Sequence, residues 1–241
     1  MPLPYTSLGE VIIFNDDFLG ASLNPAIAGT SENSGTAAIV VGQRGGVGGL
    51  TTGATSGNRS QFTTGLNYRA SDGSIVVAWR VANITATTNR SLFVGVGDSV
   101  SLKSPITLSG TTFTANDTDA VGFVFDTAST DPDYWYGVGV NNGTITGGSV
   151  IQVSGKSVSP TAGVFENFVI EITPDGLAIL SYGKDNGVDT SQGVREVARI
   201  SSALRTSVNL TPVVALQTRT AGAATAYVDA LYRSEERRVG K

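Results

Sequence analysis

Hydrophobic residues recur at every second position along much of this chain, and this period constrains the fold more than any other feature of the sequence. The clearest run is 73–84 (GSIVVAWRVANI), in which Ile75, Val77, Trp79 and Val81 share one face of an extended segment. Successive side chains of a β-strand point to opposite faces, so such a segment can bury one face and leave the other exposed. The run therefore predicts a strand that covers a hydrophobic core.

The same pattern returns repeatedly between turn-forming residues. It predicts further strands at Leu92, Val94 and Val96, at Val121, Phe123 and Phe125, at Tyr134, Tyr136, Val138 and Val140, at 211–220 and at 224–233. A hairpin is predicted at Pro174-Asp175-Gly176, because proline presets φ for a turn and glycine accepts a positive φ. This turn joins the alternating residues Phe168, Ile170 and Ile172 to Leu177 and Ile179.

Two segments depart from the strand pattern. Residues 191–205 (SQGVREVARISSALR) carry Val194, Val197, Ile200 and Leu204 at helical spacing. One short helix is predicted there, with a strand as the alternative because valine and isoleucine favour extended backbone. Residues 42–57 (GQRGGVGGLTTGATSG) are rich in glycine, and we expect a mobile loop or extended arm because ordering glycine backbone is entropically costly.

Composition agrees with a single all-β domain. The 241 residues are 40% hydrophobic and 15% charged, with 30 glycines, and a chain of this length can bury one sizeable core. We expect a single hydrophobic core, with no repeat and no linker. The net charge of −4 and the lack of a basic stripe argue against a nucleic-acid partner, because phosphate binding needs clustered Lys and Arg.

The two ends of the chain are predicted to lie outside the sandwich. Residues 1–14 are interpreted as an N-terminal arm, residues 15–232 as the domain, and residues 233–241 as an extraneous tail whose composition breaks from the rest. The opening MPLPYTSLGEVIIF lacks the basic and apolar regions of a secretory signal, and no apolar run is long enough for a transmembrane helix. We therefore expect a soluble protein with no membrane partner.

Short motifs spread over residues 15–232 resemble the strands of one superfamily. They are Asn15-Asp16-Asp17-Phe18 followed by Leu23, and the segments 77–80, 93–98, 121–126, 170–176 and 226–231. They are similar to the opening strand, the central strand pair, the next strand, the hairpin and the closing strand of concanavalin-like lectins and glucanases, which include laminin-G-like modules. The resemblance implies a two-sheet antiparallel jelly-roll sandwich in which the opening strand pairs with the closing strand. It specifies fold rather than function.

Several catalytic classes are excluded by residue content. The chain has no histidine and no cysteine, which removes Ser-His-Asp and Cys-His nucleophiles and ordinary zinc sites. A glycosidase needs two carboxylates flanking the scissile bond. The Glu-x-Asp-x-x-Glu motif of jelly-roll glucanases is missing, and the nearest candidates, Glu166 and Glu171, are five residues apart and so fall on opposite faces of one strand.

Binding sites remain open alternatives. Trp135 could stack on a sugar if it faces outward, with Tyr134 and Tyr136 on the opposite side, although core packing is the commoner role of such aromatics. The acidic loops at 116–119 and 126–133 could supply oxygen ligands to calcium, but solvated turns explain them more simply. We therefore assign no catalytic, cofactor, metal or ligand-binding residue.

The resemblance and the composition together suggest a non-enzymatic structural protein of a tailed-bacteriophage particle. A chain poor in charge, free of His and Cys and carrying an N-terminal arm suits a capsid decoration protein, made in the host cytoplasm and located in the virion. Its partners would be the major capsid protein and its own copies, arranged as a homotrimer. The alternatives are a carbohydrate-binding or receptor-binding module, with a surface glycan as partner, and a glycoside hydrolase.

Overall fold

The computed structural model describes residues 12–13, 18–19, 21–42, 46–83, 88–131, 134–153, 155–185 and 193–230. These residues form one short 3-10 helix, Ala70–Asp72, and nineteen strands. The strands are β1 (Ile12–Ile13), β2 (Ala28–Ser31), β3 (Thr36–Ile39), β4 (Gly48–Thr51), β5 (Arg59–Thr63), β6 (Ile75–Asn83), β7 (Arg90–Gly97), β8 (Ile106–Ser109), β9 (Thr112–Ala115), β10 (Ala120–Asp126), β11 (Trp135–Asn141), β12 (Thr144–Val150), β13 (Gln152–Val153), β14 (Lys156–Ser157), β15 (Phe165–Ile172), β16 (Ala178–Asp185), β17 (Arg195–Ile200), β18 (Thr211–Thr218) and β19 (Thr225–Ala230). Within the described ranges, no helix is long and apolar enough to cross a bilayer.

Two large sheets pack face to face. The first has the order β17-β16-β15-β6-β19-β4-β3, and the second has the order β12-β11-β10-β7-β18-β5-β2. Neighbours in both orders run antiparallel, while β1 pairs in parallel with β6. Two small hairpins, β8–β9 and β13–β14, lie outside these sheets. The predicted all-β, two-sheet jelly-roll sandwich is confirmed.

The main core lies between the sheets and follows the predicted alternation. Ile75, Val77, Trp79 and Val81 of β6 are all buried in it. Large apolar side chains contribute about 1.5–3 kcal/mol each when fully buried, so one such strand anchors much of its sheet. The segments 77–80 and 93–98, which resemble a central strand pair, belong to β6 and β7, and these are the middle strands of opposite sheets.

A second hydrophobic cluster covers the outer face of the second sheet. Residues of β7, β10 and β11, including Phe93, Val124 and Val138, pack there beneath Ile106 and Leu108 of the β8–β9 hairpin. The expectation of a single hydrophobic core is therefore wrong. β7, β10 and β11 contribute side chains to both clusters. Strands that are covered on both faces are apolar on both faces.

The glycine-rich segment 42–57 is not simply a loop. Part of it is β4, which is hydrogen-bonded between β3 and β19. A Cβ placed on Gly48 would lie 2.8 Å from Cε2 of Phe62 and 2.9 Å from Cε1 of Phe18. Glycine is used here because two aromatic rings pack directly on the backbone, leaving no room for a side chain. Residues 43–45 lie outside the described part.

The segment 191–205 contains a strand rather than the predicted helix. Arg195–Ile200 forms β17 at the edge of the first sheet. Leu180 pairs with Ala198 while Ser181 pairs with Glu196, so Val197 is the extra residue of a β-bulge. A bulge shifts the two-residue alternation by one position, so Val197 and Ile200, three residues apart as in a helical pattern, both pack in the main core. Residues 191–192 lie outside the described part.

The hairpin at Pro174-Asp175-Gly176 is confirmed. Gly176 has a φ of +83° and donates its N–H to the Thr173 carbonyl oxygen at 2.9 Å. The turn connects β15 to β16, which pair in register along their whole length. This hairpin brings the ends of β15 and β16, and therefore Glu166 and Lys184, opposite each other.

Most of the two predicted terminal segments lie outside the described residues, as do Asn15, Asp16 and Asp17. The boundaries at 1–14, 15–232 and 233–241 therefore stay predictions. Ile12 and Ile13 pair with Ile75 and Val76 of the same chain, and the closing strand β19 lies between β6 and β4.

Candidate functional site

A pocket of about 470 Å³ opens at one lateral edge of the sandwich. It lies where β16 and β17, the outermost strands of the first sheet, approach the β13–β14 hairpin, which follows the outermost strand of the second sheet. Its described lining residues are Val153, Lys156, Ser157, Val158, Ser159, Thr161, Tyr182, Gly183, Lys184, Gly193 and Arg195. Pockets for small molecules span about 300–1,000 Å³, so this one has the size of a ligand site.

The hydrogen bonds of Trp135 and Ile151 hold the far wall of the pocket in place. The backbone N–H of Trp135 donates to the Val158 carbonyl oxygen at 2.9 Å, and that of Val158 donates to the Ile151 carbonyl oxygen at 3.0 Å. The backbone around Val158 is therefore hydrogen-bonded to the second sheet. These bonds attach the β13–β14 hairpin, which precedes Val158, to the sandwich.

Sheet register places the charged residues of the other wall. Lys184 is directly opposite Glu166 in the β15–β16 pair, and Arg195 is directly opposite Tyr182 in the β16–β17 pair. Residues two apart on a strand share a face, so Tyr182 and Lys184 both point to the inner side of the first sheet. The edge strands thus present an aromatic ring, an ammonium group and a guanidinium group to one cavity.

A buried carboxylate lies behind this wall. Glu166 is 1% exposed. Its Oε1 accepts a hydrogen bond from Tyr182 Oη at 2.8 Å, and its Oε2 accepts one from Trp135 Nε1 at 3.1 Å. Burial raises the pKa of Glu166 to about 7, an effect that these two donors and the nearby Lys184 oppose. Glu166 therefore changes charge near neutral pH while it is bonded to a pocket residue.

Lys184 connects the buried carboxylate to the pocket. Its Nζ lies 3.7 Å from Glu166 Oε1 and donates to the Ser159 carbonyl oxygen at 3.0 Å and to Thr161 Oγ1 at 2.5 Å. The ammonium group thereby donates two hydrogen bonds and lies within ion-pair distance of a buried carboxylate. Lys184 fixes the 159–161 segment against β16 and holds a positive charge at the pocket wall.

The predicted separation of Glu166 and Glu171 is confirmed. Glu166 faces the core, whereas Glu171 lies on the outer side of β15 and is half-buried. The two carboxylates cannot flank one ligand, because the strand lies between them. The described residues that line the pocket include no Asp or Glu.

Trp135 does not form an exposed sugar platform. The alternation of β11 is as predicted, with Trp135 and Tyr136 on opposite faces, but Trp135 points into the main core and Tyr136 into the second cluster. The Trp135 ring packs edge-on against Phe168, with centroids 4.8 Å apart. Its functional relevance comes instead from the indole N–H that reaches Glu166.

The acidic loops at 116–119 and 126–133 are only partly solvated, because Asn116 and Asp131 are exposed whereas three aspartates are buried. Asp117, Asp119 and Asp126 are buried, and each carboxylate faces a cation: Lys103 at 2.7 Å, Arg205 at 2.6 Å, and Arg219 respectively. No group of three metal-ligating side chains occurs in the described part of the chain. These aspartates act as structural ion pairs, and residues 132–133 lie outside the described ranges.

Sequence reasoning did not single out Lys156, Tyr182, Lys184 or Arg195. They come from three strands, and Lys156 is 39 residues from Arg195 in the sequence. No local motif links them, because cross-strand pairing and the approach of the β13–β14 hairpin bring them together. The one local signal was the occurrence of three arginines, Arg195, Arg199 and Arg205, within eleven residues, and only Arg195 of these lines the pocket.

Comparison with known proteins identifies the fold. No protein-family model matches the sequence, and no curated protein sequence matches it. The Bacteroides ovatus mixed-linkage glucan GH16 protein, solved with its G4G4G3G product, is 9% identical, with a TM-score of 0.54 over 90% of this chain and 98% of that one. The endo-β-1,4-glucuronan lyase of the fungus Trichoderma reesei is 11% identical, with a TM-score of 0.53 over 86% and 90%.

A third solved structure with the same arrangement is a protein of unknown function from Shewanella oneidensis MR-1. It is 13% identical, with a TM-score of 0.53 over 89% of this chain and 84% of that one. At such identities the likeness establishes the concanavalin-like jelly-roll fold and nothing about activity.

Proposed function

We propose that the protein is a carbohydrate-binding β-sandwich that holds a saccharide unit in the pocket between β14, β16 and β17. The observation that carries this proposal is the mixed lining of the pocket. Apolar Val153 and Val158 lie beside hydroxyl, ammonium and guanidinium groups. A sugar ring presents apolar C–H faces bordered by hydroxyl groups, and such a lining complements both.

The number of carboxylates near the pocket favours binding of a saccharide over its cleavage. Among the described lining residues and the groups bonded to them, Glu166 is the single carboxylate, and glycosidases use two. Two of the structural neighbours are, by name, a glucuronan lyase and a protein bound to a glucan product. Those activities belong to those two proteins. The proposal for this chain rests on the lining of its own pocket.

The proposal is tested by blocking the pocket. Ser157 is an exposed lining residue of β14, and Ser157→Trp would place a large side chain in the cavity. Ser101 is exposed on a loop that does not line the pocket, so Ser101→Trp is the matched control. On a glycan array followed by calorimetry, we expect the wild type and S101W to bind saccharide and S157W to lose binding. Equal binding by S157W and S101W, or no binding by the wild type, would reject the proposal.

The role in a phage particle stays a prediction from the sequence. Its support is compositional: few charges, no His or Cys, and an apolar N-terminal segment. It implies a homotrimer that contacts a major capsid protein in the virion. Light scattering at micromolar concentration tests it, because a stable trimer is expected for a decoration protein and a monomer argues against one.

A further inference from the structure

We propose that this pocket selects an acidic saccharide, a sugar unit that carries a single oxyanion, either a carboxylate or a sulfate. This inference rests on the proposed function and names the ligand class of the same site. Its basis is that the pocket lining is positively charged whereas the whole chain is negatively charged. The chain has a net charge of −4, yet the described lining of the pocket contains three basic residues, Lys156, Lys184 and Arg195, and no acidic residue.

The three cations have different roles. Lys184 is held by Ser159, Thr161 and Glu166, so it supplies a fixed positive charge from the wall. Lys156 and Arg195 are exposed and approach the cavity from different strands, β14 and β17. A planar guanidinium such as that of Arg195 can donate two parallel hydrogen bonds to a carboxylate or sulfate.

Two nearby acids among the described residues, Glu196 and Glu166, are engaged by other groups. Glu196 follows Arg195, but its carboxylate is engaged by Arg199, whose Nε and Nη2 lie 2.6 Å and 2.8 Å from its oxygens. Glu166 is separated from the cavity by the residues that it bonds, Tyr182 and Lys184. Because burial raises the pKa of Glu166 to about 7, its carboxyl group carries a full negative charge only above neutral pH.

A neutral sugar would not require this arrangement. Hydroxyl groups are satisfied by Ser, Thr and backbone groups, which the pocket also offers. Three cations around one cavity repel one another, with Glu166 behind Lys184 as their one described acidic neighbour in an ion pair, and an oxyanion in the cavity would relieve that repulsion. Hydrogen bonds to a charged group are about twice as strong as those between neutral groups, so an acidic group would dominate selectivity.

The experiment compares saccharides of equal length by calorimetry in low salt. The probes are a neutral β-1,4-glucan tetrasaccharide, a uronate tetrasaccharide and a sulfated tetrasaccharide. We expect at least one acidic probe to bind about tenfold more tightly than the neutral one, with an affinity that falls as salt rises. The uronate and sulfate probes distinguish the two sources of the oxyanion.

Two variants assign the selectivity to the pocket. Arg195→Ala is expected to reduce acidic-probe affinity about tenfold and neutral-probe affinity much less, so that the ratio of the two affinities falls. Arg199→Ala changes an exposed arginine on the same strand that does not line the pocket, and it is expected to keep wild-type selectivity. Circular dichroism confirms that both variants fold.

Each result is decisive. Neutral and acidic probes binding with equal affinity would overturn this inference while leaving carbohydrate binding intact. Equal losses of selectivity in R195A and R199A would also overturn it, because the effect would then be one of overall charge. If no saccharide binds, carbohydrate binding itself fails, and this inference fails with it.

Discussion

The indole Nε1 of Trp135 lies 3.1 Å from Oε2 of Glu166, and this buried hydrogen bond joins the two sheets. Trp135 belongs to β11 of the second sheet and Glu166 to β15 of the first. A carboxyl group with 1% exposure is costly to ionise. The same group is bonded to Tyr182 at the pocket wall, so the core and the candidate site share one titrating residue.

Stability should fall as Glu166 ionises. The folded protein keeps the Glu166 proton up to a pKa of about 7, against 4.5 for an ordinary glutamate. Between these values the folded state binds more protons than the unfolded state, so the free energy of unfolding decreases as pH rises. Glu166 therefore removes about 3 kcal/mol of stability between pH 4.5 and 7.

Glu166→Gln should abolish this component of the pH dependence, because an amide can occupy the same position without ionising. Urea unfolding at pH 5 and pH 8 measures the difference, with Glu171→Gln on the outer face of β15 as the control. A pH dependence in E166Q equal to that of the wild type would show that another group is responsible.

Gly48→Ala should destabilise the fold. The added methyl group would approach the rings of Phe62 and Phe18 to 2.8 Å and 2.9 Å, and overpacking of a core typically costs about 1–3 kcal/mol. Gly193→Ala is the control, because an added Cβ there meets no atom within 4 Å and should change stability by less than about 0.5 kcal/mol. Thermal unfolding that ranks the two variants equally would contradict the close packing at Gly48.

Arg205→Met should cost far more than Arg199→Met. Arg205 bonds the fully buried carboxylate of Asp119, with Nη2–Oδ2 at 2.6 Å. Its removal leaves the buried Asp119 carboxylate without its cation, which costs more than the loss of a pair in which both partners are exposed. Arg199 and its partner Glu196 have exposed side chains, at 57% and 45%, and such pairs contribute about 0–1 kcal/mol. Denaturant unfolding at neutral pH checks the order, and equal losses would contradict it.

Acidic-saccharide affinity should weaken as pH rises from about 6 to 8. Ionisation of Glu166 adds a negative charge next to Lys184, the fixed cation of the pocket wall, and so lowers the attraction for an anion. The groups that face Glu166 are Tyr182 and Lys184 from β16 and Trp135 from β11. Of these, Lys184 carries the compensating charge. Calorimetry across this range should give a slope for the wild type and none for E166Q, and identical slopes would disprove the coupling.

Local pattern was sufficient for the strands with regular alternation, such as β6, and for the tight hairpin. The alternation of Ile75, Val77, Trp79 and Val81 predicts which side of β6 is buried, because strand geometry alone sets that period. Proline and glycine at 174 and 176 predict the turn, because their backbone preferences are intrinsic to each residue. The opposite faces of Glu166 and Glu171 follow from the same period.

Features that depend on contacts between distant segments were predicted wrongly or not at all. Gly48 appeared to belong to a loop because its sequence cannot show that two aromatic rings pack on its backbone. The spacing of Val197 and Ile200 resembled a helical period. The bulge that causes this spacing arises from pairing with β16, which the local sequence does not show. Alternation separates Trp135 from Tyr136 but does not say which of them faces the main core.

Side-chain period and turn preference are properties of a few neighbouring residues, so the sequence by itself determined the regularly alternating strands, the hairpin and the all-β class of the fold. Lys156, Lys184 and Arg195 share a cavity because strand order and register bring distant segments together. The raised pKa of Glu166 likewise requires burial from all sides. The positive charge of the pocket and the raised pKa of Glu166 behind its wall therefore both arise from the packing of the two sheets. No local segment of the sequence encodes that packing.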